Sequence, residues 1–197
     1  AMEGSIFIAG AGVQWLRDKL NFFKKASETE NIVKSLQDNK GVYLVPAFTG
    51  LGAPYWDANA RGVLSGLTRD TGPQEIIRAT IESVAYQTYD LFEAMKHDGL
   101  RPKLVKVDGG MVMNNWFSQF LSNVVDIKVL RPKVQETTAL GAAFMAGLQI
   151  GVYKSLKDIS KNWHLDKNFT PKISSKERNS LVKGWALAIK KTLTKSI

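Results

Sequence analysis

The chain has 197 residues, 44% of them hydrophobic and 23% charged, which suits one globular domain with enough apolar material for a sizeable core. It has no cysteine and only two, widely separated histidines, His97 and His164; disulfides and cysteine metal sites are excluded and a metal cluster is not expected. Of the net charge of +9, residues 151–197 carry +8, with eleven Lys/Arg against three Asp/Glu, and with no aromatic ladder or arginine cluster beside them this reads as a solvated lysine-rich helix rather than a nucleic-acid or membrane tail.

The opening run to Gly10 lacks the charged region and cleavage site of a signal peptide, and no stretch approaches eighteen apolar residues, so a cytoplasmic protein is expected. Val13, Leu16, Leu20 and Phe23 recur at helical spacing and predict a helix over 11–24, preceded by the small-residue start Ala9-Gly10-Ala11-Gly12. A short helix over 28–37 and a turn at Asp38–Gly41 follow. Val42–Pro46 reads as a buried strand, Phe48–Asp57 as a Gly/Pro/aromatic loop, and Gly62–Leu67 as a second strand.

Pro73 opens the longest helix, with Ile77, Ile81, Val84, Thr88, Leu91 and Met95 as its apolar stripe and Gly99 and Pro102 beyond its end. Leu104–Val107 is a strand that stops at Asp108-Gly109-Gly110. Trp116, Phe117, Phe120, Leu121 and Val124 give the next helix its buried face, and Ile127–Leu130 is a further strand. Thr137 is placed to cap a helix of small residues over 139–147, suited to close packing. Leu181, Trp185, Ala188 and Leu193 share one face of an amphipathic helix over 174–193. Strands alternating with helices predict an α/β domain with a mixed or parallel sheet.

No Gly-x-Ser-x-Gly elbow, Walker A loop or complete Gly-x-Gly-x-x-Gly is present. Asp57, Glu82 and Asp108 are the candidate general bases. Glu82 lies inside the long helix and reads as structural, Asp108 is placed to cap the Gly-Gly turn, and Asp57 ends the aromatic loop beside a cleft. Two sites stand out more clearly. Gly10 is followed by Gln14, and Gly110 by Asn114. Each pair joins a bare backbone position at a helix start, able to hold phosphate, with an amide that can both donate and accept toward adenine or ribose.

Several runs resemble the glycerol kinases: residues 3–18 from Glu3-Gly4 to Arg17-Asp18, Val45–Asp57, Arg61-Gly62, Ile77–Thr88, Val107–Gly110 with Asn114-Asn115, and Thr137–Ala143. Gly62-x-Leu64-x-Gly66-Leu67, seven further residues, then Glu75-Ile76-x-x-Ala79-Thr80-Ile81-Glu82 resembles the broader FGGY carbohydrate-kinase signature. The likeness runs from residue 3 to about 190.

The resemblance implies an actin-like ATPase fold of two RNase H-like domains with nucleotide in the cleft between them. Residues 1–197 would form one partial domain, the second and nucleotide-side one. It also implies that Gly10 and Gln14 lie near the ATP phosphates, that Gly110 contacts nucleotide through its backbone, and that Asn114 contacts the adenosine part. ATP or ADP with Mg²⁺ would be bound by the full-length enzyme. The family's Asp-x-Gly phosphate loop, glycerol-holding residues, aspartate base and Thr-Gly loop have no counterpart here. No catalytic base and no metal ligand are therefore expected in this chain, nor turnover by the chain alone. The expected partners are adenine nucleotide and the missing N-terminal domain. The alternatives are a kinase of the same family acting on another polyol, and a non-catalytic remnant that forms a homo-oligomer through apolar cleft surface such as Phe48–Trp56.

Overall fold

The computed structural model describes residues 3–194. Its central element is α3 (Pro73–His97), opened by Pro73 and by a contact from Glu75 Oε2 back to the Gly72 N–H at 2.9 Å. Its middle is buried on every side from Ile77 to Gln87, because α1 (Gly10–Asp18), α2 (Thr29–Lys34), α4 (Asn115–Val125) and β1 (Tyr43–Val45) all pack on it. β1 pairs antiparallel with β2 (Val63–Ser65) as a two-stranded ribbon.

A separate three-stranded sheet has the order β3-β4-β5, formed by Leu104–Lys106, Lys128–Pro132 and Leu165–Phe169. β3 runs parallel to β4 and β5 antiparallel to it, so the sheet is mixed and helix-flanked, as expected. α4 fills the space between this sheet and α3. α7 (Ser175–Thr192), capped by the Ser174 hydroxyl, lies over the ribbon and α4. The four layers meet at one aromatic knot, where Tyr86 of α3 stacks on Trp185 of α7 at 5.3 Å and meets Phe120 of α4 edge-on at 5.6 Å and Tyr43 of β1 at 5.7 Å.

Several elements differ from expectation. α1 stops at Asp18, not Lys24; Asn21 takes a left-handed φ of +56°, and Phe23 reaches the core from the following turn rather than from the helix. The second helix is a 3-10 turn at Ala26–Glu28 running into α2. Thr137 does not cap α5 (Thr137–Gln149). It is the first helical residue, and Glu136 precedes it without a side-chain cap bond. Nor does α5 pack tightly as its small residues suggest. Of its length only Gly147 is buried, pressed by the Tyr153 ring, while Met145 is 52% exposed. β5 and the short helix α6 (Leu156–Ser160) carry no periodic signal, since Phe169 is the one buried residue of the strand.

Candidate functional site

A cavity of about 440 Å³ opens between α1, α2, α3 and the turn that leads from β3 into α4. Gly10, Gln14, Gly110 and Asn114 all line it, so the two glycine-marked sites, a hundred residues apart, form one concavity. Val13, Ile81, Met111 and Met113 supply apolar wall, and Arg17, Thr29 and Glu30 polar edge. This mix of apolar wall and few convergent polar groups is the usual make-up of a small-molecule site.

Each glycine has room to spare. A Cβ built on Gly10 or on Gly110 would meet no protein atom within 4 Å, whereas one on Gly12 would lie 3.0 Å from Thr80 Cγ2. Gly12 is thus explained by helix packing and Gly10 and Gly110 are not. Their bareness leaves backbone open to the cavity. Gly10 is the first residue of α1, so its N–H is among those with no intrahelical acceptor, at the positive end of the helix dipole. Gly109, at φ +83°, turns the chain so that Gly110 begins a 3-10 turn, Gly110–Met113.

The amide side chains differ in their commitments. Gln14 has no hydrogen-bond partner among the described residues. Asn114 is the N-cap of α4: its Oδ1 accepts from the Phe117 N–H at 3.0 Å and its Nδ2 donates to Thr29 Oγ1 at 3.4 Å. One amide proton remains for the cavity.

Glu30, which sequence reasoning missed, accepts from both the backbone N–H and the side-chain Nδ2 of Asn115, each at 3.3 Å, and from Lys34 Nζ at 2.5 Å. Partial burial works against its charged form, but the contacts from Lys34 and Asn115 outweigh this and hold its carboxyl below the ordinary range. Its i,i+4 pairing with Lys34 was the one local hint. Because Glu30 is the sole carboxylate of the lining and is already engaged, the cavity residues do not fit a magnesium site. No cluster of three His, Cys, Asp or Glu suited to a metal occurs among the described residues.

None of the three candidate bases serves the cavity. Asp57 does not border a cleft. It is 4% exposed, accepts the Asn59 and Ala60 N–H groups and binds Thr194 through its N–H at 2.7 Å and its hydroxyl. The Thr194 N–H is the main reason its carboxyl sits below its usual value. Glu82 is structural, as expected: it is 1% exposed, bridged to Arg78 at 2.7 Å and bonded to Asn39 and Tyr86. Burial pushes its carboxyl upward against the Arg78 charge. Asp108 does not cap the Gly-Gly turn; it is exposed, and Gly109 N–H goes instead to the Gln135 carbonyl at 3.3 Å.

Comparison with known proteins agrees with the early motif reading. Residues 1–150 match the C-terminal domain of the FGGY family of carbohydrate kinases. Glycerol kinase 1 of Pseudomonas aeruginosa is 54% identical over 191 residues, which is 97% of this chain and 39% of that protein. The glycerol kinase of Gluconobacter oxydans is 50% identical over 197 residues, 100% of this chain and 38% of its own length. A crystal structure of Plasmodium falciparum glycerol kinase with ADP superposes with a TM-score of 0.87 at 35% identity, covering 98% of this chain and 38% of that one. Ligand-bound xylulose kinase from Lactobacillus acidophilus gives 0.80 at 26%, covering 98% of this chain and 40% of its own. The chain therefore spans less than half the length of these relatives.

Proposed function

Because this chain belongs to the FGGY family of carbohydrate kinases, we propose that its cavity is the adenine-nucleotide seat of a glycerol kinase, which converts ATP and glycerol to ADP and glycerol 3-phosphate. The observation that carries the reading is the convergence of Gly10, Gln14, Gly110 and Asn114 on one cavity. The α1 start receives the phosphates, where unpaired N–H groups and the helix dipole favour negative charge. Met111, Met113, Val13 and Ile81 cover the base, and Asn114 hydrogen-bonds the adenosine part. The reaction's soluble substrates suit a cytoplasmic enzyme.

Phosphoryl transfer rests on in-line positioning and on charge stabilisation from both sides of the cleft, with Mg²⁺ supplying part of it when bound. This chain contributes nucleotide binding only. Asp57 and Glu82 are locked in structural contacts and Asp108 does not line the cavity, and on this reading the base and the metal ligands belong to the part of a full-length relative with no counterpart here. Calorimetric titration with ADP and magnesium tests the reading. Binding by the wild type, weakened in Asn114→Ala, supports it; identical isotherms overturn it. Pure chain should form no ADP in a glycerol-dependent way, and measurable turnover would refute the division of labour. A substrate screen on the full-length enzyme separates glycerol from other polyols.

A second reading, self-association, is favoured by exposed apolar side chains on and after α5: Met145, Ile150, Val152 and Leu156 are 52%, 77%, 66% and 65% exposed. The Phe48–Trp56 loop contributes less than expected, since Leu51 and Gly52 are buried and Trp56 is its one strongly exposed ring. A single monomer mass by light scattering across concentrations would count against this reading.

A further inference from the structure

The geometry points to Arg131 as a positioning residue that sets the shape of the nucleotide seat from outside it. Arg131 stands near the end of β4, is 6% exposed and does not line the cavity. Its guanidinium is nevertheless directed at the backbone beneath the cavity. Nη1 donates to the Val112 carbonyl at 2.8 Å and to the Met113 carbonyl at 3.3 Å. Nη2 donates to Asn115 Oδ1 at 3.3 Å, and Nε to Asp166 Oδ2 of β5 at 2.7 Å.

Val112 and Met113 are the last residues of the 3-10 turn that begins at Gly110, and Asn114 comes next. Holding two successive carbonyls on one planar cation fixes the peptide planes on either side of Met113. Those planes decide where Gly110 offers its backbone and how Asn114 faces the cavity. The Ser118 hydroxyl adds a third anchor, donating to the Val112 carbonyl at 3.0 Å. Asn115, held by Arg131 through its oxygen, passes its N–H and Nδ2 to Glu30 on the opposite wall. One polar chain thus runs from Asp166 through Arg131 and Asn115 to Glu30 beneath the seat. A lysine could supply the charge but not the fork that reaches four acceptors at once.

The inference rests on the nucleotide reading for its ligand and on the contacts alone for its clamp, so its test has two arms. In the first, amide hydrogen exchange is followed at Asn114, whose N–H bonds the Met111 carbonyl at 3.2 Å, and at Phe117, whose N–H bonds Asn114 Oδ1. Val107, bonded to the Leu130 carbonyl at 3.0 Å, is the reference. Arg131→Met should speed exchange at Asn114 and Phe117 by about tenfold or more and leave Val107 unchanged. Arg131→Lys should not restore protection. Should Arg131→Met fail to fold, Asp166→Ala carries the same test, because it removes the acceptor of Nε, a partly exposed carboxylate outside the seat; about threefold faster exchange is expected.

In the second arm, ADP affinity should fall in the same order. Wild-type exchange in the variants, or full rescue by lysine, would overturn the clamp. A loosened turn with ADP affinity within about twofold of wild type would overturn its role in binding. If the wild type itself binds no ADP, the nucleotide reading fails while the exchange arm still decides the clamp.

Discussion

Trp185 Nε1 donates to Asp90 Oδ2 at 2.7 Å, and Tyr55 Oη donates to the same oxygen at 2.8 Å, so one carboxylate ties α7 and the aromatic loop to the outer half of α3. Burial drives the Asp90 carboxyl up to about 6 against the pull of those two donors, and Glu93 adds to the rise.

A raised carboxyl has a defined signature in pH. Between about pH 4 and pH 6 the folded chain holds a proton at Asp90 that the unfolded chain has released, so this group's contribution to stability falls as pH rises through that window and is flat above it. The full difference is roughly 3 kcal/mol. Melting curves of wild type and Asp90→Asn should diverge in that window and run parallel above about pH 7. Parallel curves from pH 4 upward would refute the assignment.

Gly110→Ala should fold normally, since its Cβ meets nothing within 4 Å, yet lose at least about tenfold in ADP affinity because the methyl fills the seat. Gly109→Ala is the contrast: at φ +83° it should cost about 1 kcal/mol of stability. Calorimetry paired with urea denaturation separates the two effects.

On the nucleotide reading, Asn114 both caps α4 and contacts the ligand, and different substitutions divide the two. Asn114→Ala removes the cap of α4 and should lower stability by about 1 kcal/mol together with ADP affinity. Asn114→Asp keeps an oxygen for the Phe117 N–H and so keeps the helix, but it loses the Nδ2 donor and should bind ADP as poorly as the alanine variant. Near-wild-type binding by Asn114→Asp would mean that the amide makes no ligand contact.

Arg78→Met should be the most damaging single change, by about 3–5 kcal/mol in urea denaturation, because it strands the buried Glu82 charge. Adding Glu82→Gln should recover part of that loss. A double variant no more stable than Arg78→Met would argue against the pair as the cause.

What could be read directly from residue order was whatever has a short range. The stripe of α3, the strand before Gly109-Gly110 and the Gly10/Gln14 and Gly110/Asn114 pairs each lie within a few turns of chain, and the fold class follows from their alternation. Contacts that close over long separations were not legible. Asp57 pairs with Thr194, 137 positions away, so it looked like a free cleft acid. Arg131, which simply follows Val129-Leu130, carried no signal in the sequence, because its acceptors come from a turn, a helix start and β5. The small residues of α5 suggested close packing from composition, yet among the described residues little covers them and only Gly147 is buried.

The burial of the middle of α3, from Ile77 to Gln87, sets where the molecule can be cut. Removing α4 or the Leu36–Asn39 turn would strip partners from the Arg78–Glu82 pair, so the body around α3 is expected to open cooperatively. The segment from Gly151 to Asn162 has no such protection, and Lys154, Lys157 and Lys161 lie exposed along it. Brief trypsin treatment should sever the backbone there first and leave two pieces joined by the β4–β5 ladder, still migrating together until denatured.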